Sequence, residues 1–308
     1  MPNIEDFSYE ELGTTRYAMQ KRRQLFQEIA QNPLPAVFVA GDSLSIEPQV
    51  GGVYEPIIKN LIDHAAQSGY HDFLIDIGAN IGLSSCQSGM AFTEIHGFEP
   101  NPICATICQL NLQKFLPPDK YQLHPYGLGE SDRIATLKIP YRNMGGAFIS
   151  DGVNSYSHKV LAEKDNFQSF DANNYFEQAI EIRSAKDVLQ GLLQQLLEKK
   201  LRSGIIIIDV EGYEPIILEA LSIMPNELRC IIIFESWDHH FDVQKILDAF
   251  GSRAVGFSIQ SQRSYKSLTH RLLKKLFASH AADLTYHLVP YKKGDRGDLV
   301  IQVDSTHS

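Results

Sequence analysis

From Tyr54 onward, short apolar runs alternate along the chain with stretches of helical length that are apolar on one face only. The runs predict strands at Phe73 to Ile77, Ile95 to Glu99, Tyr121 to Tyr126, Gly204 to Asp209 and Cys230 to Glu235. The longer stretches predict helices at Glu55 to Gln67, Leu83 to Phe92, Pro102 to Phe115, Ala185 to Lys200, Glu214 to Leu221 and Val243 to Phe250. Strands alternating with helices of this length imply right-handed crossovers and a largely parallel sheet, hence a doubly wound α/β fold. Four consecutive isoleucines, Ile205 to Ile208, predict a strand buried on both faces.

The alternation fails in three places. Residues 1–52 are charged and then proline-bearing, with one helical stretch around Tyr17 to Gln31, and read as a cap outside a main domain spanning 53–308. Between about 141 and 180 the chain turns polar, with Arg142 to Asn174 rich in Asn, Ser, Asp and Tyr, flanked by short extra strands at Ala135 to Pro140 and Ala179 to Arg183. A segment of this length inside a compact domain is usually either a functional lid or disordered. The C-terminal end, Leu284 to Val289 and Asp298 to Val303 across Lys292 to Gly297, reads as an antiparallel hairpin.

Composition narrows the function class. With 308 residues, 44% of them hydrophobic, the chain can bury a full core. A net charge of -9 argues against a broad nucleic-acid footprint, which needs clustered Lys and Arg. The one basic cluster, Arg263 to Lys275, carries Leu272, Leu273 and Leu276 at helical spacing and reads as a solvated helix face. No apolar stretch approaches bilayer length and the N-terminus lacks a signal-peptide core, so a cytoplasmic protein without a membrane span is expected. Cys86, Cys104, Cys108 and Cys230 lack paired C-x-x-C spacing, which disfavours zinc.

The chemistry concentrates at predicted strand ends. Asp76-Ile77-Gly78-Ala79-Asn80-Ile81-Gly82 closes the first strand and opens a helix, and Glu99 lies about twenty residues beyond Gly78, where such folds carry an acid for ribose hydroxyls. A dinucleotide turn wants G-x-G-x-x-G; here Asn80 stands at the second glycine, which suits a ligand without phosphate such as S-adenosylmethionine. Ligands of open α/β sheets bind beyond the carboxyl ends of the strands, so Asp76, Glu99, Asp209, Glu211 and Glu235 are expected to converge on one edge.

D-I-G-A-N-I-G, F-E-P-N-P, G-L-G-E and I-D-V-E-G-Y-E, in this order, resemble the FkbM family of S-adenosylmethionine-dependent methyltransferases, from Tyr54-Glu55-Pro56 to about Val303. The Asn143 to Ile149 segment, with Gly145-Gly146, also looks like the family's glycine-bearing stretch. The resemblance implies a class I Rossmann-like fold with a mostly parallel seven-stranded sheet and a reversed terminal strand. It also implies methyl transfer to a hydroxyl of a sugar, glycan or secondary metabolite. Carried onto this chain, Asp76, Gly78, Asn80 and Gly82 would line the methionine moiety, Glu99 the ribose, and Gly127, Leu128 and Gly129 the adenine end, with Glu55, Pro100 and Asn101 also expected among the cofactor-binding residues. Asp209 is also expected to touch the cofactor.

Methyl transfer to an alcohol needs alignment and removal of a proton, so Asp209, Glu211, Glu235 and His239, with His240 beside it, are the candidate catalytic residues. Tyr213 and Trp237 offer π-faces for a sulfonium. Asp209, Glu211 and Glu235 could supply oxygen ligands to Mg²⁺, although no spacing demands a metal. No (N/D)-P-P-(Y/F) element occurs, which favours oxygen over nitrogen as nucleophile. A nicotinamide-dependent oxidoreductase and a non-catalytic Rossmann-like binding module remain the alternatives, and the oligomeric state is open.

Overall fold

The computed structural model describes residues 36–39, 41–149, 171–236, 241–264 and 283–305. The expected helix at Tyr17 to Gln31, the Asp238-His239-His240 loop with Trp237, and most of the polar stretch and of the basic cluster lie outside them.

The main sheet has eight strands in the order β11-β10-β12-β9-β8-β1-β2-β3. They are β1 (Phe73–Ile77), β2 (Glu94–Phe98), β3 (Tyr121–His124), β8 (Ser203–Ile208), β9 (Arg229–Ser236), β10 (Ala254–Ser264), β11 (Asp283–Pro290) and β12 (Gly297–Val303). Strands β3, β2, β1, β8 and β9 run parallel, β12 runs antiparallel to β9, and β10 and β11 follow in antiparallel pairing. The class I methyltransferase arrangement, with its reversed strand β12, is therefore present, and β11 adds an eighth strand at the edge.

The expected C-terminal hairpin does not form. Strand β11 pairs with β10 (Phe257↔Pro290), whereas β12 inserts between β10 and β9 (Phe257↔Val300 and Val300↔Ile233). A hairpin prediction pairs neighbours in sequence; here the apolar face of β12 is satisfied deeper in the sheet, where Leu299, Val300, Ile301 and Val303 are buried. Strand β10 is not among the expected strands, although Val255, Phe257 and Ile259 alternate with Gly256, Ser258 and Gln260 in the period-two pattern of a half-buried strand. It reaches Ser264, so Arg263 belongs to a strand rather than to the expected helix face.

The side chains of β8 show why the Ile-rich run specifies a central strand. Ile206 and Ile208 join one core with Phe73, Ile75, Ile77, Ile232 and Phe234, while Ile205 and Ile207 join the opposite core with Leu74, Ile231 and Ile233. Helices α5 (Ala185–Glu198), α6 (Glu214–Leu221) and α7 (Val243–Phe250) cover the first face, and α2 (Pro56–Gln67), α3 (Leu83–Ser88) and α4 (Pro102–Phe115) cover the second. Pro102 sits at the first turn of α4, where its missing N–H costs nothing, and Asn101 Oδ1 caps that helix by accepting from Ile103 N at 3.1 Å. Among the described residues no helix is long and apolar enough to cross a membrane.

A second sheet, ordered β4-β7-β5-β6, packs over the first face and contains β4 (Gly127–Gly129), β5 (Arg133–Pro140), β6 (Phe148–Ile149) and β7 (Tyr175–Ser184). The two short strands expected here are longer than predicted and pair with each other from Arg133↔Ile182 to Pro140↔Tyr175. Before the main sheet, α1 (Ser43–Gly51) begins at Asp42, whose carboxylate accepts from Ser45 N at 3.1 Å. Ala36, Phe38 and Val39 pack there on the small cluster of Ile81, Leu83 and Cys104.

Candidate cofactor and acceptor site

Two clefts open beyond the carboxyl ends of β1, β2 and β8 and share Gly78, Asn80 and Asp209. The larger encloses about 710 Å³ of empty space, its mouth included. Ile77, Phe98, Glu99 and Pro100 line it from the main sheet, Gly127, Leu128, Leu137 and Ile182 from the second sheet, and Val210, Glu211 and Tyr213 from the loop after β8. The smaller, about 420 Å³, is bounded by Leu44, Tyr54, Glu55, Asp76, Ser84 and Asp209.

Backbone geometry explains the glycine turn. Gly78 has φ +90°, and a Cβ there would lie 1.8 Å from the Asp209 carbonyl oxygen, so only glycine lets the ends of β1 and β8 approach this closely. Asn80 is also left-handed, φ 50°, a conformation Asn tolerates. Its N–H donates to Glu99 Oε2 at 2.8 Å, while Asn101 N donates to Oε1 at 2.7 Å. Glu99 is thus held by two backbone donors with lone pairs to spare, and burial pushes its carboxyl up to about 7 against those hydrogen bonds. Asp76 is buried, accepts from Ser85 Oγ at 2.7 Å and is pushed up to about 6 by burial.

The roof of the larger cleft is the turn from Met144 to Ile149. Asp42 fastens it to α1: Oδ1 accepts from Met144 N at 2.8 Å while Oδ2 accepts from Ser45 Oγ at 3.0 Å. At Gly145 a Cβ would meet Leu44 Cδ1 at 2.1 Å and Asn80 Nδ2 at 2.6 Å, so the turn lies directly on α1 and the glycine-rich loop.

The sequence profile described as the Methyltransferase FkbM domain matches residues 76–259, more than half of the chain. The chain belongs to the FkbM methyltransferase family. No curated protein sequence matches it. Similar solved structures include an O-methyltransferase from Bacillus cereus in complex with SAH, 14% identical at a TM-score of 0.38 over 92% of this chain and 91% of that one. Another is Methyltransferase FkbM from Methylobacillus flagellatus, 14% identical at 0.35 over 92% and 60%. Precorrin-6y C5,15-methyltransferase from Geobacter metallireducens is 10% identical at 0.42 over 89% and 96%.

Within this FkbM domain the expected site residues separate into groups. Asp76, Gly78, Asn80, Glu99, Pro100, Gly127, Leu128, Asp209 and Glu211 line the clefts, as does Glu55 just ahead of the profile match. Gly82 lines neither; it is left-handed at the start of α3, and its missing Cβ makes room for Cys108 Sγ. Asn101 also lies outside the clefts and acts through its N–H on Glu99. Glu235 lines neither cleft, stands opposite Asp298 on β12, and touches the site through its field on Glu55. Among the described residues no three His, Cys, Asp or Glu side chains group to hold a metal ion, so Asp209, Glu211 and Glu235, which could have supplied oxygen ligands, do not form such a group. His239 lies outside the described residues.

Sequence reasoning missed Asp42, Leu44, Ser85 and Asp298. Asp42 left a trace, since Asp followed by Ser-Leu-Ser is a helix-start signal. The others become visible only through pairing across the fold.

Proposed function

We propose that the protein transfers a methyl group from S-adenosylmethionine to a hydroxyl oxygen of a sugar, glycan or secondary metabolite, and takes no nucleic-acid acceptor. The observation that carries this reading is the meeting of the two clefts at Gly78, Asn80 and Asp209, one cleft apolar with a ribose-type carboxylate and the other small and acidic. The residues present fit the donor. Glu99 offers two carboxylate oxygens to ribose hydroxyls, and Pro100, Leu128, Phe148 and Ile182 offer apolar surface to a purine. Gly78 lets the ends of β1 and β8 close together beneath both clefts, and Glu55 and Asp76 present acids to an ammonium and a sulfonium.

When bound, S-adenosylmethionine supplies an electrophilic methyl on a positively charged sulfur. The chain's own task is alignment and proton removal. Holding two reactants in near-attack geometry is worth roughly 7–11 kcal/mol, and a positioned base contributes about 10²–10⁴-fold. Asp209, on both clefts, and Glu211, on the larger, are placed to orient or deprotonate an acceptor, with Glu235 and His239 as further candidates. The test is incubation with isotopically labelled S-adenosylmethionine and a panel of sugars, nucleotide sugars, glycolipids and secondary metabolites. Label transferred to a hydroxyl supports the reading. Donor binding without transfer to any acceptor favours a binding module, and label on nitrogen or carbon overturns O-methylation.

A further inference from the structure

Glu55 is the least ordinary residue of the smaller cleft. It has φ 42° and ψ 67°, a left-handed conformation that a side chain with a Cβ adopts at a cost of roughly 1–2 kcal/mol, and it makes no side-chain cap to α2, which begins at the next residue. The surrounding structure imposes this. Gln87 of α3 clamps the preceding peptide, accepting from Tyr54 N at 2.8 Å and donating to Tyr54 O at 3.1 Å, and Lys59 N donates to Glu55 O at 2.9 Å. The strained backbone directs the carboxyl into the cleft beside Asp76 and Asp209, where the Tyr54 side chain hydrogen-bonds it.

We infer that Glu55 exchanges a proton against the charge of the methyl donor, holding the proton while the cleft is empty and yielding it when a sulfonium enters. This deepens the methyltransferase reading and rests on it. Among the described residues the charges that act most on Glu55 are acidic: Glu235 at the end of β9, Asp298 opposite it on β12, and Asp76 on β1. Asp209 shares its cleft, Tyr54 is its hydrogen-bond partner, and Lys59 on its own helix is engaged with Asp63. Burial first, and then Glu235 and Asp298, push its carboxyl up to about 7. A sulfonium is one positive charge more than the thioether left after transfer, so it favours the carboxylate where the thioether does not.

The exchange also balances the reaction. Methyl transfer to a hydroxyl breaks a carbon–sulfur bond, whose electron pair stays on sulfur, forms a carbon–oxygen bond and frees the hydroxyl proton. The base that removes that proton, for which Asp209 and Glu211 are the candidates, holds it first, and its passage to the Glu55 carboxylate keeps the charge of the cleft constant across the step.

Calorimetric titration of the full chain at pH 7, with S-adenosylmethionine and separately with S-adenosylhomocysteine, in two buffers of different ionisation enthalpy, counts the protons. The wild type should release more protons with the sulfonium than with the thioether, by up to about half a proton, because a group of pKa about 7 is about half protonated at pH 7. Glu55→Gln should bind both ligands and lose the difference; Asp76→Asn, which removes a smaller repulsion, should keep a difference with its midpoint at slightly lower pH. As a second variant that leaves Glu55 in place, Asp298→Asn should move the midpoint of the difference to lower pH. A difference that persists in Glu55→Gln, is absent from a wild type that binds both ligands, or has an unmoved midpoint in Asp298→Asn overturns the inference. Failure of the wild type to bind either ligand overturns the methyltransferase site instead.

Discussion

Replacing Glu99 by Gln pits two opposing terms against each other, and pH separates them. Glu99 accepts from Asn80 N and Asn101 N through different oxygens, and an amide can offer an oxygen to only one. The variant therefore leaves one backbone donor facing an NH₂ group, at a cost of about 1–3 kcal/mol that applies already at pH 5, where the wild-type carboxyl is protonated. Against this stands the penalty of ionising a carboxyl whose folded pKa is about 7 rather than the ordinary 4.5. Between those values the unfolded chain has lost the proton while the folded chain keeps it, so the Glu99 contribution to stability falls as pH rises through that window. At one pKa unit per 1.36 kcal/mol, the fall amounts to about 2.5 kcal/mol from pH 5 to pH 8. Gln does not titrate. Denaturant unfolding of both proteins should show Glu99→Gln clearly destabilising at pH 5 and about 2.5 kcal/mol less so at pH 8. Equal effects at the two pH values would refute the assignment of a buried, proton-holding carboxyl.

Three further outcomes follow from the same geometry. Gly78→Ala places a Cβ against the Asp209 carbonyl in a left-handed residue and should destabilise by more than about 2 kcal/mol while abolishing S-adenosylhomocysteine binding in calorimetry. Asp42→Ala removes the cap of α1 and the acceptor for Met144 N, so thermal unfolding should show a loss of about 1–3 kcal/mol, with ligand affinity reduced because the roof is released. Asp209→Asn should reduce turnover of an identified acceptor by at least tenfold while leaving S-adenosylhomocysteine affinity within a few-fold, as measured by steady-state kinetics and titration.

The parallel half of the fold was legible because its signals are local. Four isoleucines in succession cannot be solvated on either face, and an acid followed by glycines marks where the strand ends and a helix begins. Glu99 could be placed from its distance to Gly78 alone, and the structure joins the two segments through Asn80 N. The antiparallel part was less legible because its order depends on which strand finds the deepest apolar neighbours. Val300 and Ile301 read equally well as half of a hairpin. Glu235 was expected in the cleft from its position at a strand end, but β12 lies alongside β9 and sets it opposite Asp298. Leu44 and Ser85 carry no chemical signature; they matter through what they touch.

The position of β12 bears on how the chain acquires its structure during synthesis. It follows β9, β10 and β11 along the sequence, yet it lies between β9 and β10, with Val303 fully buried beside Cys230. Until it emerges from the ribosome, β9 presents an unpaired edge and the β10–β11 ladder has nothing joining it to the rest of the sheet. The glycine turn and the Glu99 loop can form early from neighbouring segments, but closure of the sheet waits for a contact of long sequence separation, which slows folding and leaves a sticky edge exposed meanwhile. A stalled nascent chain ending before Gly297 should therefore be protease-sensitive from β9 onward although the segments that bear the glycine turn and the ribose-type acid are already synthesised.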